Sequence, residues 1–249
     1  MTTTYDTIVI GVGGMGSATC YQLARRGQRV LGLEQFDIPH TRGSSHGYTR
    51  IIRMAYFEHP SYVPLLRRSY ELWADLEAAS GQRLLVQTGG LDIGPAGSHV
   101  VEGSLRSCRE HGLAHQVLSG AEVNPRYPGY QIPAEFQAVF QPDAGFLLPE
   151  RCIVAFVEGT FRHGGTVQAR EAVLGWEPAG DGVRVTTDRD VYEAGSLVIT
   201  AGAWSRRAWP WLDRLAVPER QVLAWLQPLR PDLFTPNRFP IFILDQGDE

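Results

Sequence analysis

The pattern of apolar and polar positions predicts a strand, a helix and a second strand in the first 34 residues. Residues 5–10 (YDTIVI) form a short apolar run, and a helical pattern extends from about residue 14 to residue 26. Gly27 stands where a helix C-cap is expected, and residues 28–33 form the second apolar run. A segment of this length is typical of a crossover between two parallel strands.

Further along the chain, the pattern predicts a mixture of helices and strands. The predicted helices cover residues 60–79, 98–111 and 149–162, with short helices opened by Ser119-x-x-Glu122 and after Ala201. The predicted strands cover residues 84–93, 136–141, 219–229, 239–244 and a β-rich stretch from 166 to 200 that turns at 179–182. This order predicts an α/β protein with a second sheet inserted into the first.

Composition and charge exclude several classes of protein. The chain has 249 residues, 43% of them hydrophobic and 20% charged, as in ordinary globular proteins. A net charge of −4 without a basic run argues against nucleic-acid binding, and no apolar run approaches the roughly 18 residues of a membrane span. All 23 basic residues are arginine, so no lysine is present to form a Schiff base. No basic, apolar leader opens the chain, and we expect a cytoplasmic protein.

The cysteines give no sign of a metal site or a disulfide. Cys20, Cys108 and Cys152 are far apart and form no CxxC pair. They are expected to be free thiols in a reducing compartment. We therefore predict no metal.

A glycine-rich turn between the first strand and helix predicts a dinucleotide site. It matches GxGxxG and consists of Gly11, Val12, Gly13, Gly14, Met15 and Gly16. The first glycine allows the tight turn, the second lets the backbone approach a pyrophosphate, and the third lets helix and strand pack closely. Glu34 ends the second strand, where a carboxylate accepts hydrogen bonds from an adenosine ribose and repels a 2′-phosphate. The motif alone does not separate NAD from FAD.

A long run after the second strand resembles the flavin-dependent amine oxidases typified by monomeric sarcosine oxidase and N-methyltryptophan oxidase. Residues 36–53 read FDIPHTRGSSHGYTRIIR, close to the FD-PPH-x-x-GSSHG-x-TRIIR run of that family. The similarity continues through YVPL at 62–65, ELW at 71–73, TGGL at 88–91 and VITAGAW at 198–204. A nicotinamide dehydrogenase has no need of the GSSHG-x-TRIIR run. The resemblance therefore favours FAD as the cofactor.

The resemblance implies a Rossmann-like FAD-binding domain with an interleaved, mixed-sheet substrate domain. The FAD-binding domain is expected at residues 1–88 and 145–216, and the substrate domain at 89–144 and 217–249. The expected reaction oxidises the C–N bond of a secondary or N-methyl amino acid, with oxygen as the electron acceptor and hydrogen peroxide as a product. The expected partners are thus a small amino acid and oxygen, with no nucleic acid and no membrane.

The resemblance also assigns site residues. Arg50 is expected against the flavin ring and Arg53 on the substrate carboxylate, which a guanidinium binds through two parallel hydrogen bonds. His46 is expected beside the flavin; a loop histidine bonded to backbone is the alternative for His46 and the preferred interpretation of His40. Besides the GxGxxG residues and Glu34, the expected cofactor contacts are Gln35, Arg42, Gly43, Ser44, Ser45, Val173, Ala201, Gly202 and Trp204.

Family members extend beyond this chain at the C-terminus. The resemblance places the flavin-linked cysteine, the oxygen-activating lysine and part of the substrate pocket in that extension. The 249-residue chain by itself is therefore expected to show no turnover. A truncated, non-catalytic module that binds FAD or ADP is the alternative to an oxidase.

Overall fold

The computed structural model describes residues 4–247, apart from the side chain of residue 213. In chain order, the strands are β1 (Thr4–Ile10), β2 (Val30–Leu33), β3 (Arg50–Ile52), β4 (Leu85–Gln87), β5 (Gly90–Gly94), β6 (Gln116–Ser119), β7 (Gln137–Gln141), β8 (Gly145–Leu147), β9 (Thr166–Gln168), β10 (Val173–Ala179), β11 (Gly182–Thr187), β12 (Val191–Ile199) and β13 (Ile241–Leu244). The helices are α1 (Gly14–Arg25), α2 (Val63–Ser80), α3 (His99–His111), α4 (Gly120–Arg126), α5 (Pro149–Arg162) and α6 (Ser205–Ala208). Short 3₁₀ turns cover 60–62, 202–204, 210–214 and 231–233.

Two compact units share the chain, and they alternate along the sequence. The first unit contains residues 1–49, 78–82 and 148–222; the second contains 50–77, 83–147 and 223–249. The predicted α/β class is confirmed, with a parallel strand–helix–strand crossover in the first unit and mixed sheets in the second. The division into an FAD-binding domain at residues 1–88 and 145–216 and a substrate domain at 89–144 and 217–249 stays a prediction.

The first unit is built on a six-stranded sheet in the order β10-β11-β12-β1-β2-β9. β12, β1, β2 and β9 are parallel, whereas β10, β11 and β12 form an antiparallel meander. Alternate residues of β1 face opposite sides of the sheet. Ile8 and Ile10 pack with Leu31 and Leu33 on one side, while Val9 packs with Cys20 of α1 on the other. The alternation explains why the end of β1, residues 8–10, is apolar: both of its faces are covered.

The second unit contains two smaller sheets. One has the order β13-β5-β7-β6, in which β13 and β5 are parallel and the other pairs antiparallel. The other has the order β3-β8-β4 and is antiparallel. Ser98 precedes α3 as its N-cap and accepts a hydrogen bond from Val101 N–H, and Gly112 follows the helix as its C-cap in the left-handed conformation. The predicted capping box of Ser119 and Glu122 is present at the start of α4.

The strand predicted at residues 219–229 is wrong. These residues form no regular element, and Val222, Leu226 and Leu229 are almost fully exposed. An isolated strand leaves its backbone groups unpaired, and none of the three sheets among the described residues takes this segment as a neighbour. Pro228 also lacks the N–H that a central strand needs.

Candidate functional site

A cavity of about 690 Å³ opens in the first unit at the carboxyl ends of β1 and β2. Its volume lies within the usual range for small-molecule sites, and ligands of open α/β sheets bind at this edge. The predicted residues that line it are Gly11, Val12, Gly13, Gly14, Met15, Glu34, Gln35, Gly43, Ser44, Ser45, Val173, Ala201, Gly202 and Trp204.

The glycine turn has a geometry that only glycine satisfies at two positions. Gly11 has a φ of +89°, and a Cβ there would stand 2.7 Å from the carbonyl oxygen of Thr200. A Cβ at Gly16 would collide with the carbonyl oxygen of Gly11, so helix and turn touch through this glycine. Thr200 Oγ1 donates to that same carbonyl over 2.7 Å. The turn is thus held against the end of β12.

Gly13 differs from both of those glycines. A Cβ built on it meets no protein atom within 4 Å, and its φ of −77° suits any residue. It is the N-cap of α1 and makes no side-chain cap, and the first turn of the helix carries no acidic residue. The first turn of α1 therefore lies at the cavity without an acidic side chain of its own to neutralise its N–H groups.

Glu34 brings a buried carboxylate to the same turn. The residue is 5% exposed, and Oε2 accepts a 2.9 Å hydrogen bond from the N–H of Val12. Oε1 accepts from the N–H of Phe36 over 3.1 Å and lies 3.6 Å from His40 Nε2. His40 Nδ1 accepts from the N–H of Arg42, as the backbone-bonded interpretation of this histidine predicts. The carboxylate therefore joins the glycine turn to the segment that follows β2.

Sequence reasoning missed several polar residues of the cavity wall, among them Glu171, Trp176 and Arg207. Glu171 is 2% exposed, and its Oε1 accepts hydrogen bonds of 2.8 Å from Thr187 Oγ1 and from the Tyr192 hydroxyl. No motif surrounds these residues, and they reach the cavity from separate elements. Arg207 follows the AGAW turn at 201–204, and this turn is the one sequence motif that indicated this part of the cavity wall.

Five predicted site residues do not line the cavity. Gly16 packs against Gly11, and the guanidinium of Arg42 lies 4.8 Å from the centre of the Phe36 ring. His46 lies in the same unit, in the loop where Gly47 N–H donates to Glu150 Oε1 over 2.9 Å. The other two, Arg50 and Arg53, belong to the second unit.

Arg50 and Arg53 flank two isoleucines but have different environments. Arg50 is exposed on β3, which pairs with β8 through Leu147. Arg53 is 5% exposed and donates from Nη2 to Glu58 Oε2 over 2.8 Å. Its guanidinium carbon lies 4.2 Å from the ring centre of Tyr56 and 4.8 Å from that of Phe57. Arg53 is therefore a buried, aromatic-lined cation rather than a solvated surface residue.

A second carboxylate, Asp92 of β5, faces Arg53. Its Oδ1 lies 3.8 Å from Arg53 Nε, and it is 1% exposed. Burial raises the pKa of Asp92 to about 6, against the opposing effects of the Ser104 hydrogen bond and the Arg53 charge. Among residues 4–247, no cluster of three or more His, Cys, Asp or Glu side chains suits a metal ion, and no helix is long and apolar enough to cross a membrane.

Comparison with known proteins places this geometry in a family. Residues 6–249 match the model of the FAD dependent oxidoreductase family. The chain is 43% identical over its whole length to the monomeric sarcosine oxidase of Streptomyces avermitilis, of which it spans 65%. It is 33% identical over 98% of its length to the N-methyl-L-tryptophan oxidase of Yersinia pestis, of which it also spans 65%. The predicted resemblance to these oxidases is confirmed.

Solved structures give the same result for the fold. The open form of NikD, described as an unusual amino acid oxidase essential for nikkomycin biosynthesis, superposes with a TM-score of 0.76 at 29% identity. The match covers 86% of this chain and 55% of that protein. FAD, which was predicted from the glycine turn and the GSSHG-x-TRIIR run, is confirmed as the cofactor of the matching family. The chain belongs to the family of FAD-dependent oxidoreductases.

Proposed function

We propose that the chain carries the FAD-binding part of an amine oxidase that acts on a secondary or N-methyl amino acid. The observation that carries the proposal is the turn at 11–16, where Gly13 and the N-terminus of α1 face an open cavity. A pyrophosphate fits this arrangement because backbone N–H groups and the helix dipole stabilise its charge. Gly13 leaves room for the phosphates to approach the main chain.

Glu34 is proposed to bind the ribose of the adenosine. It lines the cavity beside the turn and is held by the N–H groups of Val12 and Phe36. A carboxylate fixed in this way accepts hydrogen bonds from vicinal hydroxyls without first having to be oriented. Val173, Ala201, Gly202 and Trp204 are proposed to enclose the rest of the ADP half, and Gln35, Gly43, Ser44 and Ser45 to follow the cofactor along the cavity. Arg42 and His46 are proposed to support the same loop.

Arg53 is proposed to bind the carboxylate of the substrate. A guanidinium that is 5% exposed and lined by two aromatic rings favours a planar carboxylate over water. Arg50, which is exposed on β3, is proposed to act on the flavin. When bound, FAD supplies the two-electron acceptor that the protein itself lacks. In the overall reaction the amine loses two electrons and two protons, oxygen takes up both and becomes hydrogen peroxide, and water hydrolyses the imine.

The second candidate is a module that binds FAD or ADP without turnover. It is supported by the position of the cavity, all of whose lining residues belong to one unit. The chain spans 65% of the length of the two oxidases compared above, so the activity of a whole protein is a proposal. A cytoplasmic location is also proposed, because Cys20, Cys108 and Cys152 are buried and form no disulfide in the described part of the chain.

Four measurements on the purified chain test these proposals. An absorption spectrum and a calorimetric titration measure FAD binding, and a titration with ADP measures the contribution of the ADP half. A peroxide assay with N-methyl amino acids then separates the oxidase from the non-catalytic module. The proposal of an ADP site in the first unit fails if neither FAD nor ADP binds. Sustained, FAD-dependent release of peroxide excludes the non-catalytic alternative.

A further inference from the structure

A buried hydrogen-bond network surrounds Asp92 in the second unit. Oδ2 of Asp92 accepts from Ser104 Oγ over 2.5 Å and from Gln141 Nε2 over 2.8 Å. The carbonyl of the Gln141 side chain in turn accepts from the N–H of Ala55 over 2.7 Å. Two donors therefore hold one oxygen of Asp92, and the other oxygen, Oδ1, is directed at Arg53 Nε.

The same network fixes the backbone that carries the arginine. Ala55 lies two residues after Arg53, so Gln141 connects this segment to the carboxylate that faces its side chain. Gln141 and Asp92 lie on neighbouring strands, β7 and β5, where Gln141 pairs with Gly90. Because side chains two residues apart on a strand share a face, the amide reaches the carboxylate diagonally. The position of Asp92 relative to Arg53 is thus set by a regular sheet.

Arg53 Nε has an unusual status. It is the one buried side-chain nitrogen or oxygen in the described part of the chain that has no hydrogen-bond partner. Glu58 binds Nη2, and the rings of Tyr56 and Phe57 lie beside the guanidinium. Asp92 Oδ1 lies 3.8 Å from this nitrogen and is therefore the acceptor that attracts its N–H group.

Stability does not account for this carboxylate. Burial of an ionised acid carries a desolvation penalty that a charge at 3.8 Å offsets only in part, and an apolar residue of similar volume is often neutral or more stable. A buried carboxylate beside a binding arginine has a different use, because it restricts the rotation of the guanidinium plane. A pre-oriented guanidinium loses less freedom when it binds a ligand.

We propose that Asp92 is a positioning residue, whose Oδ1 fixes the guanidinium of Arg53 through Nε and so sets the direction in which the arginine meets a substrate carboxylate. The inference rests on the proposed function in one respect, the binding of a carboxylate by Arg53. Ser104 and Gln141 support this arrangement by donating hydrogen bonds to Oδ2 of Asp92.

The carboxyl group of Asp92 changes its charge in a range of pH that is accessible to measurement. Burial raises the pKa of Asp92 to about 6, and the charged groups that face it are Arg53 and Glu58. From α3, Cys108 faces the same carboxylate, which contributes to the raised pKa of that thiol. Two histidines lie near this group of contacts: His99, whose ring meets Phe57 edge-on at 5.5 Å, and His59, which follows Glu58 in the sequence. The pH dependence of Arg53 therefore has to be measured with and without Asp92.

The test is an NMR titration of the purified, FAD-saturated chain with ¹⁵N-labelled arginine. The Nε–H signal of Arg53 is identified by its absence in Arg53→Lys. In the wild type this signal shifts with pH around a midpoint of about 6, and in Asp92→Asn it stays flat over the same range. Equal titration in both proteins, or a flat signal in both, overturns the proposal. Equal titration would assign the shift to another group such as His99.

Ser104→Ala keeps the test decisive if Asp92→Asn does not fold. The serine donates to Asp92 and lowers its pKa, but it does not touch Arg53 in the described contacts. Its removal moves the midpoint of the Arg53 signal to higher pH. A midpoint equal to that of the wild type overturns the proposal.

Acetate separates this inference from the proposed function. At pH 7.5 acetate shifts the Arg53 signal in the wild type, and Asp92→Asn requires a severalfold higher concentration for the same effect. Tighter binding by Asp92→Asn overturns the positioning role, because Asp92 would then act only as an opposing charge. If acetate leaves the wild-type signal unchanged, the carboxylate-binding role of Arg53 fails, and the pH titration still decides whether Asp92 holds the arginine.

Discussion

Oε2 of Glu34 accepts a 2.9 Å hydrogen bond from the backbone N–H of Val12, so the acid that ends β2 is bound to the turn that ends β1. Parallel pairing of the two strands makes this contact possible, since Ile10 is in register with Leu33. The bond fixes the central peptide of the glycine turn in the direction that exposes Gly13 to the cavity. Glu34 therefore shapes the turn in addition to its proposed contact with the ribose.

Glu34→Ala is expected to weaken binding of FAD and ADP by about 1.5–3 kcal/mol, the usual value of a hydrogen bond to a charged group. Glu34→Gln retains one acceptor oxygen and is expected to lie between the wild type and Glu34→Ala. Calorimetric titration of the three proteins with ADP measures the differences. Equal dissociation constants in all three would exclude the ribose-binding role.

Asp6→Asn is the matched control for charge. Asp6 stands on β1 of the same sheet and forms an exposed ion pair of 2.8 Å with Arg29. The change removes the same unit of negative charge, and we expect no change in ADP affinity because Asp6 does not line the cavity. A loss of affinity equal to that of Glu34→Ala would indicate a general charge effect in place of a specific contact.

Asp92 is expected to make stability depend on pH. Burial raises the pKa of Asp92 in the folded protein from its ordinary value of 3.8 to about 6, so the folded state binds this proton more tightly than the unfolded state. Stability is then highest below pH 4 for this group and falls as the pH rises from about 4 to about 6. The contribution is on the order of 3 kcal/mol.

Comparison with Asp92→Asn isolates that contribution. Urea unfolding at pH 4, 5, 6 and 7 gives the free energy of unfolding of both proteins. Other titrating groups contribute to both curves, so the difference between the wild type and Asp92→Asn reports Asp92. We expect the free energy of unfolding of Asp92→Asn to increase relative to that of the wild type as the pH rises to 6. A difference independent of pH would show that Asp92 does not titrate in this range.

The three cysteines are expected to be unreactive in the folded protein. Cys20, Cys108 and Cys152 are buried, and burial raises the pKa of Cys20 to about 12 and that of Cys108 to about 11. The thiolate is the reactive form, and with these raised pKa values its population at Cys20 and Cys108 near pH 7 is negligible. Mass spectrometry after treatment with iodoacetamide should show no label on the native chain and three labels in urea. Fast labelling of native Cys20 would contradict the packing of α1 on β1.

Local patterns made the first unit predictable. Apolar alternation, a glycine turn and a helix of the right length lie within 34 residues, and the structure has β1, α1 and β2 there. The helix predicted at 149–162 has the same bounds in the structure, because Pro149 opens it and Gly164 follows it. These signals depend on residues close in sequence. The same reasoning failed at 219–229, where an apolar pattern has no partner strand.

Contacts between distant residues could not be predicted in this way. Arg53 was identified by its motif, but its environment comes from Asp92 and Gln141, which are 39 and 88 positions further along the chain. Glu171 is likewise a single acid without a motif, and a 2.9 Å hydrogen bond from its backbone N–H to the carbonyl oxygen of Glu34, outside the strands, places the two residues side by side. Sequence patterns give the elements, whereas the register between elements decides which polar groups meet.

Gly13→Ala and Gly16→Ala are expected to separate cofactor binding from folding. A Cβ on Gly13 meets no protein atom within 4 Å, and its φ of −77° accepts alanine, so the fold should keep its thermal stability. The added methyl group would occupy the proposed place of the pyrophosphate, and FAD affinity should fall at least tenfold, about 1.4 kcal/mol. A Cβ on Gly16 would instead collide with the carbonyl of Gly11, which Thr200 holds, and should destabilise the fold by about 1–3 kcal/mol or more. Thermal unfolding without cofactor and FAD titration of both variants check the pair. Unchanged FAD affinity in Gly13→Ala would place the cofactor elsewhere, since no other property of that residue changes.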